Sequence, residues 1–224
     1  MGVIHAGAPR EFILAVREKF GLQTFVECGT LHGATADWAA KHFKRVITVE
    51  FSKTLFDQNR SVPHSSNIEF CFGDSRQELK RLIPNIEELC VIWLDSHWSG
   101  SDTYGEMDEC PLLEEIAVIN SASITHFVLI DYERLFLSPP PKPHRASQWP
   151  SIDQVIESLK DRKHQYSIFV FQDIIAAVPM TAKNFVSSYC QEENTRIWES
   201  QQPKPAAWPL RKLKQGIKLV SGRL

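Results

Sequence analysis

Five acidic residues, Glu27, Glu50, Asp74, Asp95 and Asp131, stand at the ends of five short apolar runs. A carboxylate in such a place accepts hydrogens from hydroxyls or an amine. Two of the five have neighbours that extend this chemistry. Ser75 follows Asp74, and His97 lies two residues beyond Asp95 in a polar loop. Histidine is the usual general base near neutral pH. The first acid opens Glu27-Cys28-Gly29-Thr30-Leu31-His32-Gly33, with two glycines four apart. Glycine is needed where the backbone takes φ > 0 or passes very close to a ligand. Such a loop leaves the first N–H groups of a following helix free to bind. The competing explanation is a structural glycine turn with Glu27 solvated.

The spacing narrows the ligand. A dinucleotide loop reads G-x-G-x-x-G and seats a pyrophosphate on the helix N-terminus. This loop has only G-x-x-x-G, and Glu27 would repel a pyrophosphate. A carboxylate there suits a ligand carrying an amino group and a sulfonium. An NAD-dependent dehydrogenase is disfavoured on the same grounds.

The elements that must position these residues alternate along the chain. Apolar periodicity predicts helices over Pro9–Phe20, Ala34–Phe43, Lys53–Arg60, Arg76–Ile83, Pro111–Asn120 and Ile152–Asp161. Short apolar runs predict strands at Thr24–Cys28, Arg45–Glu50, Ile68–Phe72, Leu89–Leu94 and Phe127–Ile130. Two more, Tyr166–Phe171 and Ile174–Val178, are separated only by Gln172-Asp173 and read as an antiparallel hairpin. Ser75-x-x-Glu78 and Ser151-x-x-Gln154 read as capping boxes. Ser138 to His144, with four prolines, reads as an extended loop. The expectation is an α/β, Rossmann-like doubly wound sheet of about seven strands, mostly parallel with an antiparallel C-terminal hairpin. Ligands of such sheets bind at the carboxyl ends of the strands, near the switch point. Five acids at five strand ends are hard to explain by solvation alone.

Length and composition set the outer bounds. The 224 residues suit one α/β domain with additions, and 43% apolar with 23% charged residues suits a globular core. The net charge of −2 argues against a general nucleic-acid binder. From Thr181 onward eight Lys/Arg stand against three Glu, so +5, which leaves −7 for the rest. Residues 1–180 therefore form the expected domain, and 181–224 a basic extension packed on or beside it. Five cysteines without a C-x-x-C suggest reduced thiols and a cytoplasmic protein. No apolar run approaches the ~20 residues that span a bilayer.

The stretch from Thr24 to Pro179 resembles the class I S-adenosylmethionine (SAM) methyltransferases. The resemblance implies that Glu27, Gly29, Thr30 and Gly33 hold the methionine half of SAM. It implies that Glu50 binds the ribose hydroxyls, that Phe51 packs on adenine, and that Asp74 with Ser75 approaches the adenine amine. Asp95 can contact the SAM amine, orient His97 or ligate a metal. A narrower likeness covers Trp93-Leu94-Asp95-Ser96-His97-Trp98-Ser99-Gly100-Ser101-Asp102-Thr103 and Cys110-Pro111-Leu112-Leu113-Glu114-Glu115. It is similar to a bacterial group with W-L-D-x-H-[YW]-S-G-G-x-T and P-[IL]-[IL]-E-E. More distantly it resembles metal-dependent O-methyltransferases of antibiotic sugars, which would place Mg²⁺ or Mn²⁺ on Asp95 and Asp131. Those enzymes usually carry a further Asp or Asn nearby, whereas here Tyr132 follows Asp131, so the carboxylate triad is incomplete.

The function these residues imply is methyl transfer from SAM to a small hydroxylated acceptor, a sugar or another natural product. His97, Asp95 and Asp131 are the catalytic candidates. Trp98, Tyr104, Trp149 and the loop from Pro139 to Pro143 are candidates to shape the acceptor pocket, although ordinary packing explains Trp149 as well. Arg134 could meet an anionic acceptor or form a surface ion pair. Expected partners are the acceptor and, as an open alternative, a second copy in a homodimer; nucleic acid and membrane are not expected. A SAM- or nucleotide-binding module without transferase activity is the runner-up.

Overall fold

The computed structural model describes residues 7–100, 103, 105, 107–138, 140–160 and 163–201. Seven strands form one sheet: β1 (Thr24–Cys28), β2 (Arg45–Glu50), β3 (Ile68–Phe72), β4 (Cys90–Leu94), β5 (Phe127–Asp131), β6 (Tyr166–Phe171) and β7 (Ile174–Pro179). Their order is β3-β2-β1-β4-β5-β7-β6. The first five strands run parallel, and β7 pairs antiparallel with both β5 and β6. This is the mostly parallel seven-stranded sheet with an antiparallel C-terminal pair that the sequence leads one to expect.

Strands β1, β4 and β5 are buried at every residue. That explains their continuous apolar runs, because a parallel strand covered on both faces has no solvent side on which polar residues could alternate. The helices are α1 (Arg10–Phe20), α2 (Ala34–Ala40), α3 (Lys53–Arg60), α4 (Ser75–Leu82), α5 (Leu112–Asn120), α6 (Glu133–Leu137), α7 (Ile152–Ser158) and α8 (Lys183–Gln201). One core layer joins Val26, Ile47, Ile92, Val128 and Ile175 to Leu79, Ile116, Ile119 and Val155. The alternate strand residues point the other way. There Phe25 packs on Phe43, Phe20 on Phe127, and Phe12 on Phe171.

Several local details differ from expectation. The helix after the glycine loop stops at Ala40, in the short turn that precedes β2. The cap of α4 is Asp74, not Ser75: its carboxylate accepts the N–H of Arg76 at 2.9 Å and so starts the helix one residue earlier. The capping box at Ser151 and Gln154 forms as expected. Helix α6 has too few residues to show a period in the sequence. The chain divides into two units between Ser188 and Tyr189, within α8. No described helix is long and apolar enough to cross a membrane. The basic end from 202 to 224 lies outside the described residues.

Candidate functional site

The strand order reverses between β1 and β4, so the connections that follow these two parallel strands lead to opposite sides and their loops part at that point. Gly29 sits in this gap with φ +99°. A Cβ there would lie 2.5 Å from the Asp95 carbonyl oxygen, so only glycine fits. The main-chain N–H of Gly29 donates to Val49 O at 3.0 Å, and that of Asp95 donates to Cys28 O at 2.9 Å. The strand ends are thereby fixed relative to one another. The cleft above them measures about 540 Å³ including its open mouth. Gly29, Leu31, Glu50, Phe51 and Leu55 line one side, and Asp95, Ser96, His97 and Tyr132 are among those lining the other.

Glu50 is the hinge pin of the first side. One carboxylate oxygen accepts the N–H of Leu31 at 2.8 Å and the other that of Ser52 at 2.8 Å. The same carboxylate thus clips the glycine loop to the loop after β2. Each oxygen has more than one lone pair and can still accept from a ligand hydroxyl. Phe51 next to it is 42% exposed, a flat apolar face open to the cleft.

The other side is made of side chains from distant segments. His97 Nδ1 is 3.4 Å from Asp95 Oδ1. The His97 ring is met edge-on by Tyr132 at 4.8 Å and by Trp149 at 5.6 Å between centroids. Burial, with His144 nearby, pushes the imidazole down to about 4, so it is neutral at ordinary pH. Asp131 is buried at the end of β5, where its Oδ1 accepts the N–H of Tyr132 at 2.9 Å. Burial pushes Asp131 up to about 6, and burial together with Asp131 and Glu27 holds Asp95 well above the usual carboxylate range. The two acids therefore titrate as a pair, which keeps one proton longer than either acid would alone. Tyr132 takes φ 59° and ψ 46°, a left-handed backbone that costs a bulky residue roughly 1–3 kcal/mol.

One buried carboxylate ties this side together. Glu109 accepts from the Trp149 indole at 2.7 Å and from the Arg145 N–H at 2.8 Å, and lies 3.1 Å from His144 Nδ1. Burial alone would raise its pKa, but the hydrogen bonds from Trp149, Arg145 and His144 outweigh that and hold it below the usual value. Behind His97 a smaller chamber is lined by Asp95, Asp131, Cys110, Glu115 and Trp149. Glu115 is buried there and pushed up to about 8 by burial.

The remaining sequence candidates lie away from the cleft. Glu27 is buried beneath the loop, where Thr30 donates to the Thr48 hydroxyl at 2.6 Å and Thr48 donates to Glu27 Oε2 at 2.7 Å. Burial pushes Glu27 up to about 8, against hydrogen bonds from Thr48 and Thr35 that lower it. Gly33 turns the chain into α2 facing Asn59 and His64. Asp74 caps α4 and binds the Arg76 guanidinium at 2.6 Å, and Arg76 reaches Asp108 at 2.8 Å. Ser75 is buried in the first turn of α4. Of the acceptor-pocket candidates, Trp149 packs on His97, and Trp98 packs on His144 at 5.1 Å. Arg134 pairs with Asp173. Tyr104 and Pro139 lie outside the described residues.

Sequence reasoning missed Leu31, Ser96, Ser99, Thr103, Tyr132 and Glu109. Leu31 and Tyr132 were within reach of it, since each adjoins a marked position at a strand end. Glu109 sits in a polar loop, and nothing in its spacing marks it. A divalent ion needs more than the two acids Asp95 and Asp131. Among the described residues no group of three or more His, Cys, Asp or Glu is arranged to hold a metal ion. Asp131 also spends one oxygen on the Tyr132 N–H. Among the described residues the donors near Asp95 and Asp131 do not make up a ligand set for a divalent ion.

The sequence matches no family model, and a search of curated proteins finds no match. Solved structures share the fold. An O-methyltransferase from Bacillus cereus in complex with S-adenosylhomocysteine (SAH) is 17% identical over 78% of this chain and 83% of that one, with a TM-score of 0.52. A protein from Staphylococcus aureus assigned as a caffeoyl-CoA O-methyltransferase is 10% identical over 79% and 86%, with a TM-score of 0.54. The α/β sheet is thus the one on which these methyltransferases are built.

Proposed function

We propose that the protein is a SAM-dependent O-methyltransferase of a small hydroxylated acceptor. The observation that carries this reading is the cleft at the β1–β4 gap. Its floor is the Gly29 backbone, the fixed Glu50 carboxylate lies on one side, and His97 beside Asp95 lies on the other. The likeness in fold to a SAH-bound O-methyltransferase supports it. Glu50 and Phe51 suit the ribose and adenine of the cofactor, and Gly29 lets its methionine end approach the backbone. Asp95 suits the positive charge of the ammonium and sulfonium. Glu27, Thr30 and Gly33 support the glycine loop from behind, while Asp74 and Ser75 open α4.

In the reaction the acceptor oxygen attacks the methyl carbon in line with sulfur. The C–S bond breaks, its electron pair goes to sulfur, and SAH leaves. The acceptor proton passes to the group of Asp95, His97 and Asp131. His97 is neutral and can receive it on its unprotonated ring nitrogen, and its low pKa favours handing the proton on to a carboxylate. The enzyme's main contribution is to hold the two reactants in line in a site shielded from water. The acceptor lies toward His97 and Tyr132, whose rings line the cleft and suit a sugar or another ring.

Calorimetry with SAM, SAH and NAD tests the cofactor. The expected result is binding of the first two and none of NAD; tight NAD binding without SAM binding overturns the reading. A screen of hydroxylated metabolites with labelled SAM then tests transfer. On a confirmed acceptor His97→Ala is expected to lower turnover ~10²–10⁴-fold if it is the sole base, and much less if the two acids share the task. SAH binding without transfer to any acceptor would leave a binding module.

A further inference from the structure

Tyr132 holds its left-handed backbone because a distant turn braces it. Gln172 and Asp173 join β6 to β7 with φ 51° and 66°. This is the mirror-image two-residue turn that suits the twist of a hairpin. It delivers Asp173 to the start of α6. The Asp173 carbonyl accepts the N–H of Glu133 at 3.1 Å, and its Oδ1 accepts the N–H of Arg134 at 3.2 Å. Its second oxygen pairs with the Arg134 guanidinium, and the Asp173 side chain is only 4% exposed. That guanidinium lies over the Tyr132 ring, 4.8 Å from its centroid. The Tyr132 ring in turn meets His97 edge-on at 4.8 Å.

Contacts therefore run from a buried carboxylate in the C-terminal hairpin, through one arginine, to two residues that line the cleft. A capping role for the five-residue α6 does not require this charge. Asparagine caps a helix as well as aspartate does. A carboxylate is needed to hold a guanidinium by charge, and the guanidinium so held is what covers the ring.

We propose that Asp173 is a positioning residue for the acceptor side of the cleft, acting through Arg134 to set Tyr132 against His97. The proposal rests on the methyl-transfer reading only for the nature of the ligand. Tyr132 then forms a fixed wall for the acceptor ring, and Asp173 governs acceptor fit without touching the cofactor.

The test uses the full chain. Asp173→Asn keeps the shape, the tolerance of a left-handed backbone and the acceptor for the Arg134 N–H, and removes the charge. Arg134→Met removes the guanidinium and keeps Asp173. In the parent, the His97 Cε1–H proton resonance, assigned by its loss in His97→Gln, carries the ring current of Tyr132. Tyr132→Leu gives its position without the ring. Both Asp173→Asn and Arg134→Met are expected to move this resonance toward the Tyr132→Leu position, while that of His42, in the turn after α2, stays put. SAH affinity should stay within about twofold, and kcat/KM for a confirmed acceptor should fall roughly 10- to 100-fold, mainly through KM. A His97 resonance unmoved in both variants overturns the proposal, whatever happens to the urea midpoint. If the parent fails to bind SAH, the methyl-transfer reading falls, and the resonance still decides the role of Asp173.

Discussion

The wall of the cleft nearest β1 and β2 is made largely of backbone, whereas the wall nearest β4 and β5 is made of side chains. On the first wall the N–H groups of Gly29, Leu31 and Ser52 are fixed by Val49 O and the Glu50 carboxylate, all within one strand–helix–strand unit. On the second, His97 is held by Tyr132, just after β5, and by Trp149 from the segment before α7, with Glu109 fastening that segment. A wall of backbone has one shape and suits a ligand that is always the same. A wall of side chains from separate segments can change by substitution while the sheet stays intact. Under the proposed function, the first wall would face the constant cofactor and the second the variable acceptor.

The contrast can be broken most severely at Gly29. Gly29→Ala puts a methyl group into the Asp95 carbonyl at a backbone angle that alanine resists. It is expected to destabilise the fold by about 2–3 kcal/mol and to weaken SAH binding at least ~100-fold. Denaturation and calorimetry would show this, and a tolerated substitution would mean that the first wall does not depend on close backbone approach. Glu50→Ala comes next. Loss of its charge-assisted hydrogen bonds should weaken SAH binding by about 1.5–3 kcal/mol; unchanged affinity would remove Glu50 from the cofactor wall.

Glu109→Gln breaks only the second wall. Stability should fall by about 1–3 kcal/mol because buried donors lose their charged partner, while SAH affinity stays within about twofold. Glu109 has its pKa lowered in the fold, so its contribution is present above the unfolded-state value and disappears as pH falls through the folded one. The parent should lose stability on acidification below about pH 4.5, the ordinary glutamate value, more steeply than the variant. Parallel acid-unfolding curves would count against the Glu109 anchor. The smallest effect is expected at Glu27→Gln. Glu27 is raised from 4.5 to about 8, so ionisation in the unfolded chain costs the parent stability as pH climbs through that interval. Glutamine stays neutral. Melting points measured from pH 5 to pH 8 should therefore fall less in the variant, with SAH affinity changed only about threefold or less; an equal fall would show that Glu27 is ionised in the fold.

The first wall was legible in the sequence because its parts are neighbours along the chain. An apolar run, an acid and spaced glycines define a strand end and its loop by local rules alone. The order of strands and helices followed from periodicity in the same way, as did the hairpin at Gln172-Asp173. Local rules also marked Asp95, His97 and Asp131 as strand-end groups. They did not reveal that His97 would be buried deeply enough to be a weak base, or that Glu27 would lie under the cleft and not in it. Those facts depend on what covers each side chain. Trp149 and Tyr132 reach His97 only after β4, β5 and α7 have packed, and Glu109 finds Trp149 across forty residues of chain. Asp173 reaches Arg134 across thirty-nine. The strands, the glycine loop and the acids at the strand ends could be read from the chain alone, since hydrophobic period and turn chemistry act over a few residues. Only the folded molecule decides the strand order, the second wall and the protonation of its groups, since burial and long-range partners exist only once the chain has closed on itself.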